Sequence, residues 1–313
     1  MKTGKSTAHG KIILMGEHSV VYGKPAIALP FHNVEVSCFV EKSKGDIQIV
    51  SYYENKRTQL TMEDSYGIRK LIDLTLDHLN QAKKNLKFTI KSTIPQKRGL
   101  GSSAAVSVAI VKALFDKYDE KADTETIERL VHIAESIHHH NPSGLDAATV
   151  LNEHFMLFDT HTGVEPIKSN VNAYLVVADT GVEGNTKVSV ANVMKLLEKF
   201  PESTTSIIDE LGMLTEFAKT SIMRQDLVGL GHFMSRSHRH LKTLGVSNTK
   251  LDHLVKTALE NEALGAKLTG GGNGGCVIAL VDSKKQAQII KEKLTKESAK
   301  RVWITDLNEV AYG

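Results

Sequence analysis

From Ser103 to Phe115 the chain is apolar on nearly every face a helix could present. A surface helix carries one apolar stripe and one polar face, so a helix without a polar face has to be enclosed by other elements. The run is interrupted by Ser107 and Lys112 and falls short of the ~18 to 20 apolar residues of a membrane span, so what encloses it is protein. An integral membrane protein is excluded, and a layered globular domain must surround this segment.

The flanking sequence supplies the layers. Short β-branched runs at Ile12 to Leu14, Ala26 to Leu29, Val34 to Val40, Ile47 to Val50 and Leu86 to Ile94 read as strands. Ile68, Leu71, Ile72, Leu76 and Leu79 share one helical stripe, and a further helix follows Asp123, a good N-cap, until Asn141-Pro142 ends it. A strand at Ala173 to Ala178 leads into a mostly helical stretch with stripes at Ile207 to Ala218 and Leu251 to Ala258. Strand, helix, strand close the chain at Cys276 to Val281, Lys284 to Leu294 and Arg301 to Ile304. Without a regular βαβ rhythm this is α+β. At roughly 100 to 200 residues per domain, 313 residues predict two domains, cut near Asp179 to Thr186 into 1–180 and 181–313.

Charge and cysteine usage narrow the class. Lys plus Arg exceed Asp plus Glu by 39 minus 36, a net +3, too weak and too scattered to mark a nucleic-acid or anionic-membrane partner. Cys38 and Cys276 form no C-x-x-C pattern, and the first residues lack a continuous apolar leader, so the expectation is a soluble, cytoplasmic enzyme. The sequence leaves monomer and homodimer open.

Three segments invite nucleotide readings. Gly4-Lys5-Ser6-Thr7 resembles the end of a P-loop but lacks the preceding Gly and strand. Gly99-Leu100-Gly101-Ser102-Ser103-Ala104 fits G-x-G-x-x-A, yet no acidic residue ends a second strand about 20 residues on, which sets a Rossmann turn aside. Gly270 to Gly275 contains G-x-G-x-x-G but leads into a strand, the wrong order. The second segment still has positive content: its glycines permit close backbone approach, and the helix opening there presents unpaired, dipole-aligned N–H groups to an anion. An ordinary serine-capped strand-to-helix turn is the competing reading. The triplet His138 to His140 suggests zinc, since His132, Glu135 and His139 share a helical face, but no H-E-x-x-H exists.

Taken together, Lys11-Ile-Ile-Leu-Met-Gly16-Glu17-His18-Ser-Val-Val-Tyr22-Gly23-Lys24-Pro25-Ala26, Ile94-Pro95-Gln-Lys-Arg-Gly99-Leu-Gly-Ser-Ser-Ala-Ala105 and Lys267-Leu-Thr-Gly-Gly-Gly-Asn-Gly-Gly-Cys276 resemble the three motifs of the GHMP kinase superfamily. The G-E-H-S-V-V-Y-G-K-P-A form is similar to the mevalonate kinase family within it, as is Glu135-Ser-Ile-His-His-His-Asn141-Pro142-Ser143-Gly144-Leu145-Asp146. The resemblance implies a two-domain GHMP kinase fold: an N-terminal ATP- and Mg²⁺-binding domain like ribosomal protein S5 domain 2, a ferredoxin-like C-terminal domain, and the active site between them. It implies ATP-dependent phosphorylation of the C5 hydroxyl of mevalonate in isoprenoid synthesis. By the same carry-over, Gly99, Leu100, Gly101, Ser102, Ser103, Ala104 and Ala105 wrap the ATP phosphates. Ser103 and Glu135 hold Mg²⁺, Asp146 meets the substrate hydroxyl with Lys11 beside it, and Glu17, His18, Ser143, Gly144, Thr186, Gly271 and Gly272 line the substrate side.

The implied roles suit phosphoryl transfer, which needs metal, positioning and charge stabilisation more than covalent chemistry. A serine hydroxyl and a carboxylate are hard oxygen ligands for Mg²⁺. A lysine beside Asp146 would keep that carboxylate ionised. The rival readings are another kinase of the superfamily, such as phosphomevalonate kinase, or a non-catalytic binding protein on the same fold. Three positions depart from the family pattern: Gly271 and Asn273 replace Ala and Gly, and Gly184 stands where animal mevalonate kinases carry Arg.

Overall fold

The computed structural model describes residues 2–138, 144–159, 161–169 and 171–310. By internal contact the chain forms two compact units. The first is 1–10, 34–95 and 101–152; the second is 11–33, 96–100 and 153–313. The cut expected near residue 180 therefore falls inside the second unit, which also recruits two stretches from the first hundred residues. The chain changes units between Leu100 and Gly101, in the middle of the second glycine motif.

In chain order, β1 is Gly4–Met15, β2 Ala26–Lys42, β3 Gln48–Tyr53 and β4 Lys56–Thr58; α1 is Met62–His78, β5 Leu86–Ser92, α2 Ser102–Lys117, α3 Thr124–His138 and α4 Leu145–Leu151. There follow β6 Met156–Asp159, β7 Gly163–Pro166, β8 Tyr174–Asp179, α5 Thr186–Lys199, α6 Pro201–Arg224, α7 Leu227–Thr243 and α8 Thr249–Glu260. The chain closes with β9 Gly265–Thr269, β10 Cys276–Val281, α9 Lys284–Lys296 and β11 Arg301–Asp306. No helix among the described residues is long and apolar enough to cross a membrane.

In the first unit α2 packs against α1, α3 and α4, which is why it needs no polar face. Ala104, Ala105, Val108, Ala109, Ile110, Val111, Ala113, Leu114 and Phe115 are all buried on it. Asp123 caps α3 as its residue type predicts, accepting the Thr126 N–H at 2.7 Å. The β2 segment 36–42 pairs antiparallel with β5, which pairs in parallel with β3. The strands expected at Ala26 to Leu29 and Val34 to Val40 are one continuous strand: its first residues pair with β6 and its last with β5, and Pro30 falls between those two pairings. Gly4 to Thr7 lie in β1, not in a phosphate loop.

The second unit contains a four-stranded antiparallel sheet in the order β11-β8-β10-β9. With helices between β8 and β9 and α9 between β10 and β11, this is the ferredoxin-like arrangement. Leu268 and Ala266 of β9, Val277 and Ala279 of β10 and Val176 of β8 share a core with Leu251, Leu254 and Val255 of α8 and Ala287, Ile290 and Leu294 of α9.

Candidate active site

Four loops of the second unit converge: the turn after β1 at residues 16–18, residues 96–100, the stretch 179–186 after β8, and the glycine-rich loop between β9 and β10. Their contacts are dense. Lys11, 3% exposed on β1, donates its backbone N–H to Leu100 O at 3.0 Å. Thr269 Oγ1 donates to Ile13 O at 2.8 Å. Gly99 and Gly270 touch backbone to backbone: Gly270 has φ +78°, and a Cβ built there would lie 2.8 Å from Gly99 Cα. Only glycine satisfies both demands.

Glu17 and His18 point into the protein. Lys267 of β9, 0% exposed, forms an ion pair with Glu17 and also donates to Leu268 O at 2.8 Å. Burial pushes the Glu17 carboxyl upward and the Lys267 ammonium downward, and their mutual attraction opposes both shifts. Burial pushes the pKa of the His18 imidazole downward, which favours its neutral form. Its Nε2 lies 3.0 Å from Gly271 O; a carbonyl only accepts, so Nε2 carries the proton. Glu17 Oε2 and His18 Nδ1 have no hydrogen-bond partner among the described residues. Behind Lys267, His238 Nδ1 accepts the Leu268 N–H at 3.3 Å and Nε2 faces Asp252 Oδ1 at 3.3 Å, the pattern of a neutral imidazole. Burial lowers the pKa of His238 to about 4.

The departures from the family pattern have local causes. A Cβ at position 271 would come within 2.9 Å of Thr186 Cα, so Gly271 lets the loop lie against the start of α5. Asn273 adopts φ 54°, which Asn tolerates better than most residues, and its side chain donates to Ser189 Oγ at 3.1 Å. A Cβ on Gly184 would sit 3.0 Å from Gly272 O, and the Gly184 N–H donates to Lys97 O at 3.0 Å. No arginine side chain reaches out from position 184; the nearby exposed pair is Lys97 with Glu183 at 3.3 Å.

In the first unit Gly101 caps α2 at φ 75° without any side-chain hydrogen bond, leaving the opening N–H groups free of a side-chain cap. Ser103 is exposed in that first turn and Ser102 half-buried, whereas Ala104 and Ala105 face the core and present backbone alone. Gly144, at φ 74°, caps α4, and Asp146 stands half-buried in its first turn, where a helix dipole favours a carboxylate. Glu135 lies on α3, but its side chain and the whole of Ser143 fall outside the described residues.

Sequence reasoning missed Lys267, Arg98 and Asp179 as partners within these loops. Lys267 left a trace: an ammonium between Ala266 and Leu268 on an apolar strand needs a buried partner. Nothing local marks Arg98 or Asp179, whose pairing spans 81 residues.

Comparison with known proteins gives the family. Residues 67–153 match the GHMP kinases N-terminal domain and residues 218–300 the GHMP kinases C-terminal domain. The chain belongs to the GHMP kinases. A mevalonate kinase of Pyrococcus furiosus is 34% identical over 308 residues, 90% of each chain. The crystal structure of L. major mevalonate kinase in complex with R-mevalonate has a TM-score of 0.83 at 29% identity, covering 97% of this chain and 95% of that one. Mevalonate kinase from methicillin-resistant Staphylococcus aureus gives 0.76 at 30% identity over 98% of this chain and 100% of its own. Within the GHMP kinases, the chain is a member of the mevalonate kinase family.

Proposed function

We propose that this protein transfers the γ-phosphoryl group of ATP to the C5 hydroxyl of mevalonate, giving 5-phosphomevalonate and ADP. The observation that carries the reading is the 34% identity along 90% of the chain to a mevalonate kinase. Residues 99–105 receive the ATP phosphates. Their support is the pair of positive-φ glycines at 99 and 101 and the opening of α2, capped by no side-chain hydrogen bond, where backbone N–H groups serve an anion. Mg²⁺ would be held by Ser103 and Glu135 and, when bound, neutralises charge on the phosphates. The exposed Ser103 hydroxyl at that same helix opening is a hard oxygen donor of the right kind.

Asp146 accepts the proton of the C5 hydroxyl as the new O–P bond forms. Lys11 favours the developing alkoxide. Thr186, Gly144, Ser143, Gly271 and Gly272 belong to the substrate side. Glu17 and His18 act on that side through Lys267 and Gly271, the groups to which they are bonded.

The test is ADP release in a coupled assay at saturating MgATP with mevalonate, phosphomevalonate, galactose and homoserine. Mevalonate should give the highest kcat/KM by orders of magnitude, because a site that pairs specific polar groups discriminates strongly when they go unmatched. Phosphomevalonate or galactose at or above the mevalonate value would mean a different kinase of the same fold.

A further inference from the structure

Arg98 immediately precedes the first glycine of the second motif and is 7% exposed, and Asp179, at the end of β8, is 1% exposed. Arg98 Nε donates to Asp179 Oδ1 at 2.9 Å. Nη2 donates to Gly181 O at 3.1 Å, and Nη1 to Gln96 O at 3.3 Å and Lys97 O at 3.4 Å. Asp179 Oδ1 also accepts the Gly181 N–H at 2.8 Å. The next residue, Thr180, bonds Gly275 O through its N–H at 3.0 Å and its hydroxyl at 2.7 Å. One guanidinium thus ties the carbonyls just before Gly99 to the loop after β8, and that loop is itself fastened to the end of the third glycine motif.

A buried ion pair is weak evidence for stability, because desolvation offsets most of the attraction and apolar replacements of equal volume are often neutral. What the planar fork supplies is direction: its donors leave at fixed angles, which a lysine cannot reproduce. Here those angles fix the peptide units of residues 96 and 97, and so aim Gly99, at φ +77°, toward whatever the loop holds. We propose that Arg98, clamped by Asp179, is a positioning residue for the nucleotide, setting the entry of the glycine loop without touching the phosphates itself. This rests on the reading of residues 99–105 as the phosphate cradle.

The test uses the full-length protein and two variants: Arg98→Lys, which keeps the charge and loses the fork, and the double change Arg98→Met with Asp179→Asn, which leaves no unpaired buried charge. Thermal unfolding, ATP binding by calorimetry, and KM and kcat for ATP are measured on each. Misplacement of a binding element by about 1 Å costs up to about 10²-fold, so a folded variant should lose about 10- to 100-fold in kcat/KM for ATP, mainly through KM. At saturating ATP, kcat should change far less. A folded variant that binds ATP like the wild type overturns the proposal. So does unfolding of both variants, which would make the pair a stabilising element and no more. Wild-type protein that binds no ATP would instead refute the cradle reading itself, separating the two failures.

Discussion

Replacing Gly270 by alanine tests whether the close approach of two glycine loops builds the site. Gly270 has φ +78°, and its added Cβ would lie 2.8 Å from Gly99 Cα and 3.4 Å from Gly99 O. The left-handed conformation alone costs an L-residue roughly 1–2 kcal/mol. Forcing an atom into packed backbone adds typically about 1–3 kcal/mol, so the total loss is about 2–5 kcal/mol. That is within the ~5–15 kcal/mol of a typical domain, and the variant should remain folded. Gly163→Ala is the control in the same unit: its φ is +82°, but nothing lies within 4 Å of the added Cβ. Urea unfolding should place Gly270→Ala about 1–3 kcal/mol below Gly163→Ala, the steric part alone. KM for ATP should rise in Gly270→Ala because Gly99 is displaced, and should be unchanged in Gly163→Ala. Equal stability and equal KM for the two variants would refute the argument that the loops are built on backbone contact.

Lys267→Met leaves the Glu17 carboxylate buried without its cation and should destabilise by about 3–5 kcal/mol, whereas Lys267→Met with Glu17→Leu should recover most of that loss in chemical denaturation; no recovery would mean the two groups are not coupled. His238 takes a proton in the unfolded chain near pH 6.5 but in the folded protein only near pH about 4. Its contribution is therefore complete above pH 6.5 and lost as pH falls toward 4, up to about 3 kcal/mol, and His238→Gln should flatten that part of the stability–pH curve. An unchanged slope would show that another group titrates there. Asp146→Asn should lower kcat by at least ~10² with ATP affinity within a few fold, the range general-base assistance supplies, and near-normal turnover would remove Asp146 from the chemistry. Lys11→Met should act in the same direction on kcat; a change confined to KM for ATP would place Lys11 on the phosphates instead.

Elements whose pattern is local were legible in the sequence. The enclosed helix α2 declared itself by lacking a polar face, α3 by its Asp123 cap, and β10 by an unbroken apolar run from Cys276 to Val281. Strand β9 was missed because Lys267 interrupts its apolar pattern, and the reason a lysine can sit there is Glu17, 250 residues away. The seven-residue α4 and the four-residue β6 and β7 are too short to show a period. The compact units do not follow a single cut of the chain, for a related reason. Residues 11–33 and 96–100 are held in the second unit by contacts with β6 and with the loops after β8 and β9, and no composition shift marks them. For the site, the motifs named the loops, but not which way the side chains turn. Glu17 and His18 are bonded to Lys267 and Gly271, partners that the motif by itself does not name. The Asn273 substitution was readable, because tolerance of positive φ is a property of the residue itself.

The reaction can be observed directly by ³¹P NMR of the purified protein with ATP, Mg²⁺ and mevalonate. The γ-phosphate signal of ATP should be replaced, one for one with ADP, by a phosphomonoester resonance split into a triplet by the two protons on C5 of mevalonate. Appearance of inorganic phosphate alone, or of a phosphoester lacking that coupling, would contradict transfer to the C5 hydroxyl.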